Sequence, residues 1–392
     1  MGREDVTRRD ALRLLAGAGA VAAAGCSSRG TQPTAQSAAP AVAPEPAAEP
    51  PAAAVDPVLD SARLGFQWRT RDPFLFCVHH LDHYPAGDER MGPTRSLEGR
   101  KLGSDFQLKD GFRMYHGEVV PGFPRHPHRG FETVTVVRSG LLDHADSMGA
   151  GARYGEGDVQ WLTAGGGIQH AEMFPLLRRD ADNPFELFQI WLNLPRARKM
   201  VPPHFSMLWK NTIPQVVRKD DAGRAATVTV MAGNYDGIQA PAAPPDSWAS
   251  APGSDLAIWT IELEPGARFT LPAARAGSHR TIYLFEGQGL GAGGFPLAGG
   301  HQYDLRAEQA LLLENGPARS ELLMLQAKPI GEPVARHGPF VMNTRAEIQQ
   351  AYADYRATRF GGWPWDRPDP VHGSERRRFA RHADGRVEEP PA

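Results

Sequence analysis

The chain has 392 residues and a formal net charge of −2, with 41% hydrophobic and 22% charged residues. These values fit a globular protein of two or three domains and exclude the broadly basic surface typical of nucleic-acid binding. Two cysteines exclude a disulfide framework and a cysteine-rich metal site. The 42 glycines and 35 prolines are more than average, and their positions indicate linkers and turns.

Residues 1–26 have the pattern of an export signal. Arg8 and Arg9 lie in a net-basic start, and the apolar run that follows at 14–24 is too short to span a bilayer. The arginine pair resembles a twin-arginine signal, and the residues that lead to Cys26 resemble a lipoprotein cleavage box. We therefore expect export to the periplasmic side and a membrane anchor through lipidated Cys26. The alternatives are a cleaved signal with an incidental cysteine and a fixed Ala-rich helix.

The next segment separates this signal from the globular part of the chain. Residues 27–57 are rich in Pro, Ala, Ser and Gln and lack apolar periodicity, which predicts a disordered linker. The rest of the chain is expected to form an N-terminal domain, a C-terminal domain and a charged tail, at 58–205, 206–365 and 366–392.

Short β-branched and aromatic runs separated by glycine turns predict a sandwich or barrel. The candidate strands are Phe131–Val137, Leu141–Ala145, Val159–Thr163, Phe188–Leu194, Ala226–Met231, Leu256–Leu263, Thr281–Glu286 and Ala310–Leu313. Residues 278–287 are weakly similar in sequence to residues 128–134, which indicates that the two halves are related β-barrels.

The end of the second half predicts one helix. A capping-box pattern runs from Thr344 to Glu347. Apolar residues then recur on one helical face at Ile348, Ala351, Tyr352 and Tyr355. In the charged tail, the basic run at 376–378 is expected to be solvated.

Two short patterns predict a metal site in the first half. His126 and His128 are two residues apart around Pro127, so on a strand both rings point to one face. His170 and Glu172 repeat this spacing with an imidazole and a carboxylate. A barrel can bring the second pair beside the first. Three imidazoles and a carboxylate suit a first-row metal and leave coordination positions open for a substrate or oxygen.

Glu132 offers an alternative carboxylate. It follows His128 by four residues, which is the spacing of the first cupin metal motif, and the residues that lead to His170 approximate the second. Spacing alone therefore leaves open whether Glu132 or Glu172 is the fourth ligand.

The other histidines and Cys77 are expected to have structural roles. His79 and His80 are adjacent, and neighbours on a strand point to opposite faces, which argues against a shared metal. The second half lacks a His-x-His pattern, and its isolated His279 and His301 predict a metal-free domain. Cys77 is expected to be a small buried hydrophobe.

Longer segments resemble the pirin family of bicupin proteins. They are Pro124–Thr133, Trp161–Met173, Gly338–Thr344 and Arg359–Gly361. The resemblance covers roughly residues 62–365 and implies two stacked cupin barrels with one metal in the N-terminal barrel. The implied ligands are His126, His128, His170 and Glu172. Glu132 would then be a structural carboxylate or one that supports a ligand.

The resemblance also implies a function. Pirin proteins are similar to quercetin 2,3-dioxygenase, so we expect a dioxygenase that binds a flavonol and oxygen at Fe(II) or another divalent first-row metal. Glu172 would accept the proton of the flavonol hydroxyl. The alternatives are a non-catalytic metal or redox sensor that binds a partner protein, and a cupin that acts on another small molecule. We expect a monomer without a nucleic-acid partner.

Overall fold

The computed structural model describes residues 56–391. The predicted signal at 1–26, the predicted lipidation site Cys26 and nearly all of the predicted linker at 27–57 lie outside the described residues, so these assignments stay predictions. In the described part, strands make up most of the regular structure, and one α-helix lies near the C-terminal end.

Most strands follow one another with short connections, whereas a long loop at 85–121 joins β3 to β4. The first half contains β1 Val58–Arg63, β2 Gln67–Trp68, β3 Phe74–Tyr84, β4 Gly122–His128, β5 Phe131–Ser139, β6 Leu141–Asp146, β7 Gly151–Gly155, β8 Val159–Thr163, β9 Ile168–Met173, β10 Asn183–Asn193 and β11 His204–Leu208. The second half contains β12 Gln215–Lys219, β13 Ala225–Ala232, β14 Asn234–Tyr235, β15 Ile238–Gln239, β16 Ala257–Leu263, β17 Arg268–Leu271, β18 His279–Glu286, β19 Leu290–Ala292, β20 Phe295–Leu297, β21 His301–Leu305, β22 Leu311–Glu314, β23 Ser320–Ala327, β24 Ala335–His337 and β25 Phe340–Met342. The chain continues with helix α1 Arg345–Thr358, β26 Phe379–Arg381 and β27 Val387–Glu388. Short 3₁₀ turns lie at Arg196–Arg198, Lys210–Thr212, Trp248–Ser250 and Arg359–Gly361.

Every predicted strand is present. The largest difference between the predicted and the observed bounds of a strand occurs at β10. The sequence predicts a start at Phe188, whereas β10 begins at Asn183 because its first residues pair with β3, Asn183 opposite Tyr84. The predicted start misses Phe185 and Leu187, which are also buried in the core but alternate with less buried residues.

Antiparallel sheets build both halves. The first barrel contains two six-stranded sheets, in the orders β11-β8-β5-β10-β3-β2 and β27-β26-β7-β6-β9-β4. The second contains a seven-stranded sheet, β1-β21-β18-β23-β16-β13-β12, and a four-stranded sheet, β17-β22-β19-β20. Two further pairs, β14-β15 and β24-β25, lie outside these sheets.

The two barrels pack against each other through a shared hydrophobic cluster. It includes Val134 of the first barrel and Ile258 of the second, both fully buried. The ring of Trp68 stacks on that of Tyr283 with a centroid distance of 4.9 Å. Burial of apolar surface is the main favourable contribution to such packing. The predicted all-β fold of two stacked barrels with a C-terminal helix is confirmed.

The ends of the described chain cross between the barrels, unlike the predicted division at 58–205, 206–365 and 366–392. Strand β1 pairs with β21 of the second barrel, and β26, which was expected to belong to a charged tail, pairs with β7 of the first. Each added strand covers a sheet edge whose backbone N–H and C=O groups would otherwise lack strand partners. Linear composition does not show which edge a terminal segment covers.

The basic run in the tail is only partly solvated. Arg376 and Arg377 are exposed as expected, but Arg378 is half-buried. Its guanidinium donates to both carboxylate oxygens of the buried Asp158, each at 2.9 Å. Nearby, the buried Arg153 bonds to the Asp143 carboxylate. The Arg378–Asp158 ion pair attaches the tail to the first barrel, and Arg153 adds a hydrogen bond to the Gly373 carbonyl oxygen at 2.8 Å.

The predicted helix begins with the expected capping box. The Thr344 hydroxyl accepts from the Glu347 backbone, and the Glu347 carboxylate accepts from the Thr344 backbone. Ile348 and Ala351 are buried in a small cluster with Phe340. Among the described residues, no helix has both the length and the apolar character needed to cross a membrane.

The role of the tail can be tested at Arg378. Arg378→Ala leaves the Asp158 carboxylate buried without its charged partner, so we expect the free energy of unfolding to fall by about 1–3 kcal/mol. Arg376→Ala removes only an exposed ion pair with Glu156 and is expected to change it by less than about 1 kcal/mol. Denaturant unfolding of both variants measures the difference. Equal stabilities of the two variants would contradict an anchored tail.

Candidate metal centre

The structure brings the three predicted histidines together on two neighbouring strands. β4 pairs with β9, and His126 lies directly opposite His170. The ring centroids are 4.4 Å apart for His126 and His170, 4.8 Å for His126 and His128, and 4.9 Å for His128 and His170. One candidate ligand nitrogen from each lies within 4.8 Å of the others. These distances are compatible with a single ion between the three rings.

Pro127, between the two histidines, matches the position of β4 at the edge of its sheet. Proline cannot donate to a strand ladder and is therefore tolerated mainly on edge strands. β4 has a strand neighbour on one side, β9, with Pro127 opposite Gln169. The extended His-Pro-His segment can thus keep both imidazoles on the inner face, as the spacing predicts.

The protonation of the histidines favours metal binding. Burial lowers the pKa of His126 to about 4 and holds the pKa values of His128 and His170 well below the ordinary value. The three imidazoles are therefore neutral at pH 7, which is the form that binds a metal. The Nδ1 of His126 lies 2.9 Å from the carbonyl oxygen of Pro124. A carbonyl can only accept, so Nδ1 carries the proton and Nε2 keeps a free lone pair.

His170 gives the clearest indication that a ligand belongs here. It is fully buried, and neither of its ring nitrogens has a hydrogen-bond partner among the described residues. A buried polar group without a partner is destabilising, and a bound metal ion would satisfy one of these nitrogens. The residues present therefore fit a divalent metal ion.

Glu172 lies beside the histidine cluster. Its Oε2 is 3.7 Å from the Nε2 of His170. The side-chain amide of Gln189 donates to both carboxylate oxygens, at 3.2 and 2.9 Å, and the Thr135 hydroxyl lies 3.4 Å from Oε1. Burial raises the pKa of Glu172. The group of nitrogens within 4.8 Å of one another comprises the histidines alone, so Glu172 as the fourth ligand stays a prediction.

Glu132 has a different environment from the one that its spacing suggests. Its two carboxylate oxygens accept hydrogen bonds from the hydroxyls of Thr163, at 2.7 Å, and Ser247, at 2.6 Å. Ser247 belongs to the second half of the chain. On β5, Glu132 shares a face with Val134, which packs against the second barrel, whereas Thr135 points towards Glu172. Glu132 therefore connects the barrels, and its spacing does not make it a ligand.

His144 and Asp146 also lie beside the histidine cluster, although they were not among the residues predicted from the sequence. They lie on β6, with His144 opposite Glu172 and Asp146 opposite His170. Both are fully buried, and the ring centroids of His144 and His170 are 5.5 Å apart. The spacing of His144 and Asp146 could have indicated this, because His-x-Asp repeats the same-face spacing of His-x-Glu, although the predicted strand Leu141–Ala145 ends one residue before Asp146.

The remaining candidates have structural roles. Cys77 is fully buried as predicted, and burial raises the pKa of its thiol. The Nε2 of His79 lies 2.8 Å from the Glu186 carboxylate, whereas the Nδ1 of His80 lies 2.7 Å from the Tyr115 hydroxyl. The two adjacent histidines thus point to different partners, as strand geometry requires.

Fold and site together define the class: two stacked cupin barrels, the first of which holds a candidate metal site of three histidines. The family model described as pirin matches residues 88–192, and the model of the pirin C-terminal cupin domain matches residues 258–361. The chain therefore belongs to the pirin family.

Curated relatives and solved structures agree with this assignment. A Pseudomonas aeruginosa protein named "Putative quercetin 2,3-dioxygenase" is 38% identical over 246 residues, which cover 61% of this chain and 79% of that protein. Mouse pirin is 35% identical over 255 residues, which cover 64% of this chain and 81% of that protein. A crystal structure titled as quercetin 2,3-dioxygenase from Acinetobacter baumannii superposes with a TM-score of 0.61 at 26% identity, covering 78% of this chain and 98% of that one.

Metal content tests the ligand assignment. We expect His170→Ala to lose most of its bound metal, because it removes a ligand, and Glu172→Gln to bind metal about tenfold or more weakly. His301→Ala, at a half-buried histidine of the second barrel, should keep full metal content. Elemental analysis of the purified variants and metal titration measure this. Full metal content in His170→Ala would refute the site, and unchanged affinity in Glu172→Gln would show that this carboxylate is not a ligand.

Glu132 predicts a pH dependence of stability. Burial raises its pKa from the ordinary glutamate value of about 4.5 to about 7 in the folded protein. The folded state therefore binds more protons than the unfolded state between these values, and stability falls as pH rises from about 4.5 to 7, by up to about 3 kcal/mol. Glu132→Gln cannot ionise and should lack this decrease. Denaturant unfolding of the metal-free proteins at pH 5 and pH 8 compares the two, and parallel pH profiles would contradict the prediction.

Proposed function

We propose that the protein is a dioxygenase that cleaves flavonols such as quercetin and uses Fe(II) as its native metal. The observation that carries the proposal is a buried carboxylate, Glu172, beside three neutral histidines whose nitrogens can converge on one ion. Membership of the pirin family and the names of the Pseudomonas and Acinetobacter relatives support flavonols as the substrate class.

In this proposal His126, His128 and His170 hold the metal, with Glu172 as the fourth ligand. When bound, the metal supplies a Lewis-acidic and redox-active centre for the hydroxyl and carbonyl oxygens of a flavonol and for oxygen. One flavonol and one oxygen molecule are consumed for each ring-opened ester and carbon monoxide formed. The protein contributes the binding, orientation and proton transfer described next.

Glu172 is the proposed proton acceptor. Glu172 is buried beside the histidine cluster, so one of its carboxylate oxygens can take the proton of the flavonol 3-hydroxyl while the residue remains near the metal. The Gln189 amide donates to both oxygens and so holds the carboxylate plane in a fixed orientation. Gln189 is accordingly a positioning residue for the proton transfer.

Aromatic packing shields the inner side of the site. The ring of Phe131 lies 5.0 Å, centroid to centroid, from that of His128, and the ring of Trp191 lies 5.4 Å from it. These two rings also pack on each other at 4.3 Å. They exclude water from this side of His128, and exclusion of water strengthens the electrostatic interactions within the site.

Oxygen consumption tests the proposed reaction. Metal-depleted protein reloaded with Fe(II), and in parallel with Mn(II), Co(II), Ni(II) or Cu(II), should consume oxygen and release carbon monoxide when quercetin is added. Glu172→Gln should lower kcat by about 100-fold or more, because it removes the base. His170→Ala, which cannot hold the metal, is the inactive control.

The outcomes separate the candidate functions. No turnover with any of these metals would refute the flavonol dioxygenase. Oxygen uptake with catechols but not with flavonols would favour a cupin that acts on another small molecule. Tight metal binding without any turnover would favour a non-catalytic metal-binding protein.

A further inference from the structure

A row of aromatic rings leads from the surface of the first barrel to the metal site. We name Phe66, Phe106, His116 and Phe123 the aromatic wall. Phe66 packs on Phe106 with a centroid distance of 6.1 Å, and Phe106 packs on His116 at 5.0 Å. His116 and Phe106 lie 5.8 and 6.5 Å from Phe123. The ring of Phe123 lies 6.4 Å from that of His126, so the contacts are continuous.

The wall lies on the accessible side of the histidine cluster. His128 and His170 are buried, whereas His126 is partly exposed, so the cluster is reached from the side of His126. Phe123 is opposite Glu172 in the pairing of β4 with β9, which places it beside the proposed proton acceptor.

The rings of the wall are not fully used in packing. Phe106, His116 and Phe123 are each half-buried, and Phe66 is 37% exposed. One side of this aromatic surface thus remains in contact with solvent next to a candidate metal centre. A planar aromatic ligand that covered these rings would remove apolar surface from water and add ring–ring contacts.

The loop that carries Phe106 and His116 is held in place before any ligand binds. The backbones of Asp105 and Tyr115 bond to each other in both directions, at 2.8 and 2.9 Å. The buried guanidinium of Arg100 donates to the Asp105 carboxylate at 2.8 Å and stacks over the Phe112 ring at 3.9 Å. A preorganised loop loses little entropy when a ligand binds.

His116 adds a polar group to the wall. Its Nδ1 lies 2.7 Å from the carbonyl oxygen of Gly103. Because a carbonyl only accepts, Nδ1 is the donor, and in the neutral ring Nε2 is left as an acceptor. An acceptor among aromatic rings matches a planar ligand that carries hydroxyl groups.

We infer that Phe106, His116 and Phe123 bind a planar, hydroxylated aromatic ligand on the His126 side of the site. The inference rests on the proposed function for its choice of ligand. It assigns the roles of the side chains outside the metal centre: Phe106 and Phe123 stack on the ligand, and His116 accepts a hydrogen bond from one of its hydroxyl groups.

The test measures quercetin binding to the metal-loaded protein under anaerobic conditions, where no turnover occurs. Phe106→Leu keeps an apolar side chain but removes the ring, so the Kd for quercetin should rise about three- to tenfold. Phe106→Tyr keeps the ring and should bind like the wild type. His116→Phe keeps a ring but loses both nitrogens, the proposed acceptor Nε2 and the Nδ1 that donates to the Gly103 carbonyl oxygen, and it should weaken quercetin binding to a similar extent.

Two controls separate ligand binding from folding and from metal loss. Phe295→Leu changes a half-buried phenylalanine of the second barrel and should leave the Kd unchanged. The metal content of each variant should equal that of the wild type, and each variant should still unfold in one cooperative transition. If the protein turns over quercetin, Phe106→Leu should raise KM three- to tenfold while kcat changes less than twofold.

The possible failures are distinguishable. Quercetin binding that weakens in Phe106→Leu, but without oxygen uptake, would refute the proposed dioxygenase and support the aromatic wall. Turnover with an unchanged Kd and KM in both Phe106→Leu and His116→Phe would overturn the wall and leave the dioxygenase intact. No binding of quercetin to the metal-loaded protein would overturn the inference.

Discussion

The candidate metal centre depends on the register between β4 and β9. With His126 opposite His170, the histidines of both strands reach the same inner face. Because side chains alternate along a strand, a shift of one residue would turn His170 and Glu172 to the outer face. The site therefore requires a barrel that aligns these two strands, and much of the surrounding structure serves to hold that alignment.

Strand β5 connects the site to the stacking of the barrels. Thr135 faces the site and lies near Glu172, whereas Glu132 and Val134 face the second barrel. One face of β5 thus lies beside the proposed proton acceptor, and its opposite face belongs to the core between the two barrels. This arrangement gives the second barrel a physical role in the site, since its packing holds β5 in position.

The chain beyond the helix holds the metal-bearing sheet from outside. The amide of Gln169, adjacent to His170, donates to the carbonyl oxygens of Arg359 and Gly362 at 2.7 and 2.6 Å. The indole of Trp365 donates to the Asp146 carbonyl oxygen at 2.8 Å. Contacts from distant parts of the chain thus fix β6 and β9 beside each other, which is a form of support that local sequence does not show.

The facing of side chains along a strand and the start of the helix could be predicted from the sequence alone. Spacing predicts that His126 and His128 share one face of their strand and that His170 and Glu172 share one face of theirs, and the Thr344 capping box marks the helix start. These features are predictable because side-chain direction and helix capping depend on a few neighbouring residues.

Which strand faces come into contact with one another is visible only in the tertiary structure. It turned Glu132 towards Ser247, placed His144 opposite Glu172 and paired β26 with the first barrel. It also brought Phe106 close to Phe123. Each of these contacts depends on how sheets curve and pack, and residue spacing along the chain carries no information about that.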